Sequence, residues 1–488
     1  MSGARRLGVL AVMVAVLVAA GLADRVARPP GASEGADITS QTPYAPPAAA
    51  ASSAWFCVGA TAGDKTVGDG TVVVANTTGA ALEGTATVVA VGGMARTVAL
   101  SVPAADRARL RLAEVAAGPW AAAVVELDGG GAVVELATSG PLGASVTPCA
   151  SSASPSWHFA EGSTTKDAAM TLSVFNPFPD DAVVDFVFFT DEGTISPASL
   201  TGIAIAGRSL LAVNVGESVE RRDGVAATVS ARTGRLVAAR MQTWDGSAGR
   251  KGASVALGSA ASGLAWTFPE GFVAEGLAER FQIFNPNSAE AEVEIAFTLE
   301  NGGAEPLTLR IPARSRLAFS ATDDTRVPRG VAHAISVTAT NGVGVVVERT
   351  VDAAAPADRR GTAITLGSRV EARRWAVAVA GTEPGVVELI VLWNRTGDPT
   401  QVSITALADG DELEPAGLAG LEIPARSRRA IVVGDSFQRP DTPLIITASR
   451  PVVVERDLFF RAPAPGTGGP PASSAMAMAI PLRESMGP

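Results

Sequence analysis

Glu292-Val293-Glu294-Ile295-Ala296-Phe297-Thr298-Leu299-Glu300 puts apolar side chains at every second position and mostly polar ones between them. A period of two sets Val293, Ile295, Phe297 and Leu299 on one face of an extended chain, the pattern of a half-buried β-strand. Just upstream, Phe281-Gln282-Ile283-Phe284 is a second extended stretch, separated from the first by Asn285-Pro286-Asn287-Ser288. Asn can close an Asx turn and Pro blocks further ladder bonding, so the two stretches are expected to form a hairpin. The same unit recurs as Thr171 to Phe175, Asn176-Pro177, and Val183 to Thr190.

The recurrence extends along the chain. Trp55, Trp157, Trp266 and Trp375 open four similar segments, the last three tryptophans 109 residues apart, and Asn176, Asn285 and Asn394 keep the same register, with Asn76 in the first copy. A fixed period of this kind signals an array of structural repeats. A second hairpin is expected in each copy: Val124 to Leu127 with Val133 to Leu136, Ala227 to Arg240 around Thr233-Gly234, Ile335 to Arg349 around Asn341-Gly342, and Ile445 to Arg456 around Ser449-Arg450-Pro451. Between the hairpins runs Ile311-Pro312-Ala313-Arg314-Ser315-Arg316, almost verbatim again at Ile423 to Arg428 and reduced to Ala206-Gly207-Arg208-Ser209 in the second copy. About seven short strands in roughly 100 residues fit an immunoglobulin-like β-sandwich, whereas a propeller blade repeats at about 40 to 50 residues.

The reading is therefore an all-β chain: a tandem array of four immunoglobulin-like β-sandwiches after an N-terminal hydrophobic helix and a Pro/Ala-rich linker. Its expected parts are a signal anchor or signal peptide at 1–24, a disordered Pro/Ala/Ser linker at 25–54, and modules at 55–150, 156–262, 265–370 and 374–488. The linkers between modules are brief, so the modules are expected to touch end to end as a short, semi-rigid rod with atypical outer copies serving as caps.

Composition supports several buried cores: 488 residues, 47% hydrophobic and 18% charged. Lysine is confined to Lys65, Lys166 and Lys251, so Arg carries nearly all positive charge. A formal charge of −10 and a pI near 5.0 exclude a general nucleic-acid binder, which needs a concentrated basic face to displace counterions. Arg5 and Arg6 precede the uncharged apolar run Leu7 to Ala23, the pattern of a positive n-region followed by an h-region. Export follows, with the membrane engaged through residues 7–23 if the segment stays uncleaved. Seventeen residues just suffice for a span, and Gly21-Leu22-Ala23 also suits a signal peptidase, so anchor and cleaved signal both stand, the anchor being the reading taken. Cys57 and Cys149, 92 positions apart, both lie in the first repeat, and no C-x-x-C or neighbouring His accompanies them. A structural disulfide is expected, contributing roughly 4 to 5 kcal/mol in the chain-entropy model.

Trp157-His158-Phe159-Ala160-Glu161-Gly162 and Trp266-Thr267-Phe268-Pro269-Glu270-Gly271, each followed by Phe-Asn-Pro and later by Pro-x-x-Ser-Arg and Val-Val-x-Glu-Arg-type strands, carry a resemblance. The chain resembles an uncharacterised family of secreted or membrane-anchored actinobacterial proteins, described as an extracytoplasmic domain of unknown function with immunoglobulin-like repeats. The resemblance covers Trp55 to the C-terminus, most clearly the middle two modules, and implies no catalytic residue. The fourth module departs from it with Asn394-Arg395, and the first lacks the Glu-Gly pair.

Chemistry is sparse. His158 and His333 are the two histidines, in different modules and without a nucleophile or ligand motif around them, so both read as core or surface residues. Asp180-Asp181 and Asp323-Asp324 read as solvated turns. Glu161 and Glu270 share one repeat position, and Glu348-Arg349 and Glu455-Arg456 share another. A residue recurring in several modules serves the fold, for instance through ion pairs at strand edges. No catalytic, metal or cofactor site is expected. Ligand-binding candidates reduce to two tryptophans outside the repeat register, Trp120 and Trp244, the latter in Gln242-Thr243-Trp244-Asp245-Gly246, where an exposed indole could stack on a sugar or a partner. The expected function is a non-catalytic extracytoplasmic spacer, scaffold or protein-interaction protein of the bacterial cell envelope, with an envelope protein or cell-wall polymer as partner. The alternative is a cell-wall carbohydrate-binding protein.

Overall fold

A computed structural model describes residues 42–64, 66–300, 302–381, 385–461 and 471–483, all within one compact unit, Ser40–Pro488. The expected N-terminal helix, and the linker as far as residue 41, lie outside the described residues. Among the described residues no helix is long and apolar enough to cross a membrane.

The described chain is nearly all β. The third repeat shows the plan: eight strands at Ala265–Phe268, Leu277–Asn285, Ala291–Leu299, Gly302–Ile311, Ser315–Ser320, His333–Ala339, Val346–Ala353 and Gly361–Leu366. They form two antiparallel sheets, one in the order first, sixth, third, fourth and the other in the order fifth, second, seventh, eighth. The alternation in Ala291–Leu299 survives as alternating burial, with Val293, Ile295 and Phe297 facing Trp266, Phe268, Phe281 and Val337 in one core. The other three repeats keep these pairings, and in the first the end of the first strand also meets the second in parallel at Thr61 and Asp69, joining the two sheets. In the fourth, the sixth and seventh strands fuse into Leu444–Phe460, which belongs to both sheets.

This order corrects two expectations. The stretches flanking each repeated Asn do not pair as a hairpin: Leu277–Asn285 bonds to the fifth and seventh strands, while Ala291–Leu299 lies in the opposite sheet. The second expected hairpin is likewise split, since His333–Ala339 and Val346–Ala353 sit in different sheets. Both connections are arches that cross from one sheet to the other over the core. Two facing sheets are shared with immunoglobulin domains, but those set the first strand beside the second and the sixth beside the seventh. Here these neighbours in sequence are in opposite sheets.

Buried Asn explains how the first arch is held. Asn285 Nδ2 donates to the carbonyls of Ala289, Ile311 and Pro312 at 2.8, 3.1 and 3.1 Å, and its Oδ1 accepts from Asn287 N at 3.0 Å. Asn76, Asn176 and Asn394 make the same bonds in their own repeats. A carboxylate lacks the donors and a small side chain leaves three buried carbonyls open, so the position demands Asn. The register tryptophans are core: Trp157, Trp266 and Trp375 donate their indole N–H to Leu236, Val345 and Val452 carbonyls.

The four modules close into a ring instead of extending as a rod. The eighth strands, Gly143–Pro148, Lys251–Leu257, Gly361–Leu366 and Ser473–Met478, stand side by side about one axis, each touching the next and the fourth touching the first. Val255 N donates to Ser145 Oγ at 3.0 Å, Ile364 N to Ser254 Oγ at 3.1 Å and Ala144 N to Ser473 Oγ at 3.1 Å. The same relation between successive repeats at three junctions means that they are related by rotation about the axis, so equivalent residues lie at one height. A ring has no end copies, and the unusual outer repeats are therefore not caps. The last part of the expected linker is packed: Ala45 is buried and pairs in parallel with Leu482, Ala45 N donating to Pro481 O at 3.1 Å and Arg483 N to Ala45 O at 3.2 Å. The first strand begins at Ser53. Cys57 and Cys149 form the expected disulfide inside the first module.

Candidate functional site: charged junctions around an apolar axis

Three of the four junctions are built on one buried ion pair. In the seventh strand, Arg240, Arg349 and Arg456 reach the following module, where Glu348, Glu455 and Glu135 receive them. Arg240 Nη1 lies 2.8 Å from Glu348, Arg349 Nη2 2.5 Å from Glu455, and Arg456 Nη1 3.0 Å from Glu135, and all six side chains are buried. The glutamates also accept backbone N–H groups from the end of the neighbour's first strand: Glu348 from Ala160 and Glu161, Glu135 from Ala378 and Val379, Glu455 from Glu270. Each arginine donates in turn to a carbonyl of that strand end in its own module, at Glu161, Glu270 or Val379. Both charges thereby keep hydrogen-bond partners out of water, the condition under which a buried pair is tolerated. The Glu-Arg repeats anticipated as fold-serving ion pairs do pair, but between modules and not along a strand edge.

The junction of modules one and two has no such pair. Leu136 stands where the other modules have Arg, and Ala239 stands where they have Glu. Phe56, Val58, Val89 and Ala122 of the first module share one core with Leu210, Ala239 and Leu257 of the second. Gly59, at φ 106°, lies so close that a β-carbon would fall 2.9 Å from Val255 Cγ2 and 3.0 Å from Ala239 Cβ.

The third junction is the most heavily charged. Around Arg349 gather Glu455, Glu279 at 3.7 Å, and His333, whose Nε2 lies 2.7 Å from Glu279. Arg428 and Arg359 approach Glu270 at its outer side. Asp457, fully buried beside this group, has no hydrogen-bond partner on either carboxylate oxygen. Burial, reinforced by Glu455, raises its pKa well above the usual carboxylate range. Burial likewise pushes Glu455 up to about 7, outweighing the pull of Arg349. Glu161, at the second junction, is also raised by burial against the attraction of Arg316 and Arg250.

Along the axis lies an apolar cavity of ≈ 70 Å³ to which all four modules contribute, including Val146, Val255, Ile364 and Met476, with Thr42 and Pro43 at its wall. At the far end of the sandwiches, a basin of ≈ 300 Å³ at the second junction is lined by Arg250, Lys251, Arg329 and Asp352, and one of ≈ 150 Å³ between modules four and one by Arg109, Asp441 and Phe460. Part of this charge is engaged in ion pairs: Arg250 with Asp352 at 3.0 Å, and Asp441 with Arg109 and, at 3.4 Å, with Arg107.

Of the two tryptophans singled out from sequence, Trp244 presents no exposed face. Trp244 is buried and its ring is covered by Arg250, whose guanidinium lies 4.1 Å from the ring centroid. Trp120 is half-buried and packs against the cores of modules one and two. The histidines stay apart. His158 meets Thr228 Oγ1 at 3.0 Å and burial lowers its pKa to about 4, while His333 is committed to Glu279. Asp181 accepts from Gly207 N, Asp323 from Ser320 Oγ, and Asp324 pairs with Arg326, as turn residues do. Among the described residues no three His, Cys, Asp or Glu side chains are placed to hold a metal ion.

Glu348-Arg349 and Glu455-Arg456 stood out in the sequence, but their pairing across modules did not, because the partners lie far off, Glu135 and Arg456 being 321 positions apart. A signal was present, since the one module without the Arg and the one without the Glu are neighbours in sequence.

Comparison with known proteins gives little beyond this. No curated protein matches the chain. Among solved structures it is similar to a Thermotoga maritima protein titled 1070, at 19% identity over 22% of this chain and 94% of that one, with a TM-score of 0.20. It is also similar to the Anabaena sensory rhodopsin transducer, at 23% identity over 18% of this chain and 94% of that one, with a TM-score of 0.17. Neither likeness bears on function at these scores. The model of a family of unknown function, DUF5719, matches residues 130–362, from the last strands of the first module to the start of the third module's eighth strand.

Proposed function

We propose that the chain is a non-catalytic scaffold of the bacterial cell envelope: an exported ring of four sandwiches of immunoglobulin-like build, tethered by its N-terminal apolar segment or released if that segment is cleaved. Ring closure carries this reading. Three buried ion pairs and an apolar junction fix four modules about an axis, so their loops form two rims of constant geometry. Such a frame suits simultaneous contact with several partners or several copies of one, and a closed ring has less reach than a rod, which favours scaffold over spacer. The Cys57–Cys149 disulfide suits an oxidising compartment outside the cytoplasm. Burial of Trp244 removes the aromatic platform that the carbohydrate-binding alternative invoked.

The test is in-cell crosslinking of a C-terminally tagged copy in the native host, with mass spectrometry of the adducts and of the mature N-terminus. Reproducible protein adducts mapping to the rim loops are expected. Adducts confined to wall polymer would overturn the scaffold in favour of carbohydrate binding, and a mature chain beginning near Asp24 would replace the tethered form with a released one.

A further inference from the structure

The third junction is held differently from the other three. At the first, second and fourth, side chains of both modules share one continuous core: Val58 with Leu257, Phe189 with Phe284, and Val134 with Ile445. At the third, among the described residues, the core of module four draws its buried side chains from that module alone. Smaller contacts bridge the gap. Leu277, Val351, Ala353 and Ala363 of module three cluster with Met476, Ala334 meets Trp393 and Val453, and Met478 touches the edge of module three's core. Less apolar burial therefore resists separation here than elsewhere in the ring.

Charge weakens it further. Asp457 follows Glu455 by two residues on the extended seventh strand and shares its face. Its repeat position is filled by Ala137, Met241 and Thr350 in the other modules, so the fold does not require a carboxylate there. Both Asp457 oxygens are buried without a hydrogen-bond partner. Beside it stands Glu455, and from module three it is faced by Glu270 at the end of the first strand, Arg349 on the seventh and Arg359 before the eighth. Glu279 with His333, and Arg428 with Glu270, complete the group, and Asp358 lies exposed at the outer side of Arg359. With His333 neutral and every buried carboxylate ionised, Glu270, Glu279, Glu455 and Asp457 outnumber Arg349, Arg359 and Arg428. Asp457 is the acid that no guanidinium reaches within ion-pair distance among the described residues. A buried carboxylate without donors is tolerated only if it holds a proton or regains water.

We infer that the junction between modules three and four is a pH-gated latch, closed while Asp457 holds a proton and parted when Asp457 ionises, with the other three junctions staying intact. Burial raises both Asp457 and Glu455 in the closed ring, and parting returns them to water and to ordinary carboxylate behaviour. Parting therefore releases protons and is favoured as pH rises. For each of the two groups the opening constant climbs roughly tenfold per pH unit between its open-state and closed-state values. Module four keeps its hold on module one through Arg456 and Glu135 and through Ala45 and Leu482. The faces uncovered belong to Leu277, Val351 and Met476, and since Met476 lines the axial cavity, parting gives that cavity a side entrance.

Equivalent backbone N–H groups report on three junctions: Ala160 and Glu161 donate to Glu348, Glu270 to Glu455, and Ala378 and Val379 to Glu135. Their hydrogen exchange in the full chain, read by mass spectrometry and corrected for the chemical rate at each pH, tests the latch. From about pH 5.5 to 7.5 the protection of Glu270 should fall roughly a hundredfold more than that of the other two sets. Asp457→Thr, which copies Thr350 of module three, should leave the ring folded and cut that difference by roughly tenfold or more, and Asp457→Asn serves the same purpose should the threonine variant not fold. Equal changes in all three sets overturn the inference, as does a loss of protection common to the whole chain or a difference that survives removal of the carboxylate. Peroxide oxidation gives a second reading: Met476 should oxidise faster as pH rises over this range, while Met241, buried against module one, should not, and an equal response of the two also overturns the latch.

Discussion

The junction between modules one and two and the junction between modules three and four both set neighbouring eighth strands side by side, with opposite chemistry beside them. In the first, Leu136, Ala239, Phe56 and Val58 close an apolar seam around Gly59. In the second, Arg349 sits among Glu455, Glu279 and His333 with Asp457 unpartnered beside them. An apolar seam is stable in any pairing of similar surfaces, whereas a buried Arg demands its Glu. The distribution is informative: module two brings Arg without Glu, module one Glu without Arg, and the other two bring both. With modules two, three and four joined in sequence order, the remaining Arg456 finds its Glu only in module one. The junction left apolar joins neighbours in sequence, and the closing junction, which no short linker enforces, has the ion pair. Stability is the weaker argument for such pairs; specifying one order of assembly is the stronger one.

Exchanging the two chemistries should produce the largest effects. Ala239→Glu alone places an unpaired carboxylate in the apolar seam and should cost about 3–5 kcal/mol, read as a fall in the denaturant midpoint. Adding Leu136→Arg should recover most of that loss if the junctions are equivalent, and no recovery would show that they are not. Separating the disulfide from the seam comes next. Cys57→Ala with Cys149→Ala should destabilise by about 2–5 kcal/mol, with unfolding first detected in module one by hydrogen exchange.

Proton linkage distinguishes the junctions more finely. Glu455 titrates near 7 in the fold and near 4.5 when unfolded, and Asp457 is raised as well, so between these values the native state binds more protons than the unfolded one. Stability from these groups is thus fully present below about pH 4.5 and is lost as pH rises through 7. Asp457→Asn should flatten this slope and raise the melting temperature at pH 8, by an amount corresponding to roughly 1–3 kcal/mol, while a substitution at the apolar seam leaves the slope unchanged. The smallest effect concerns the turn between the fourth and fifth strands of the third module, where Arg314 has a left-handed φ of 52°: Arg314→Gly relieves it and should stabilise by at most about 1 kcal/mol, a melting-temperature rise of a few degrees or less.

Strands, repeat register and disulfide were legible in the sequence because each depends on local pattern: the alternation of Val293 to Leu299, the recurrence of Trp and Asn, and two cysteines in one repeat. Pairing was not. Ala291–Leu299 presents one apolar face whether it bonds to the strand before it or crosses above it, and an Asn-Pro turn serves both. What could have decided is Leu277–Asn285, where Phe281 turns to its own core and Phe284 packs on Phe189 of module two with ring centroids 4.8 Å apart. A strand apolar on both faces has two surfaces to cover, which points to contact between modules. Trp244 misled for a related reason: it follows a strand and precedes a polar loop, yet Arg250 from that loop folds back over its ring.

The parallel pairing of Ala45 with Leu482 has a mechanical consequence. Tension applied between Thr42 and Arg483 does not pass through the four modules in series, as it would in a rod. It loads that short strand pair in shear at the closing junction, and the load path ends there. A tether at one end and a partner at the other would therefore be joined by a stiff link with little extension until Ala45 and Leu482 part, after which the Arg456–Glu135 junction becomes the next element to bear force.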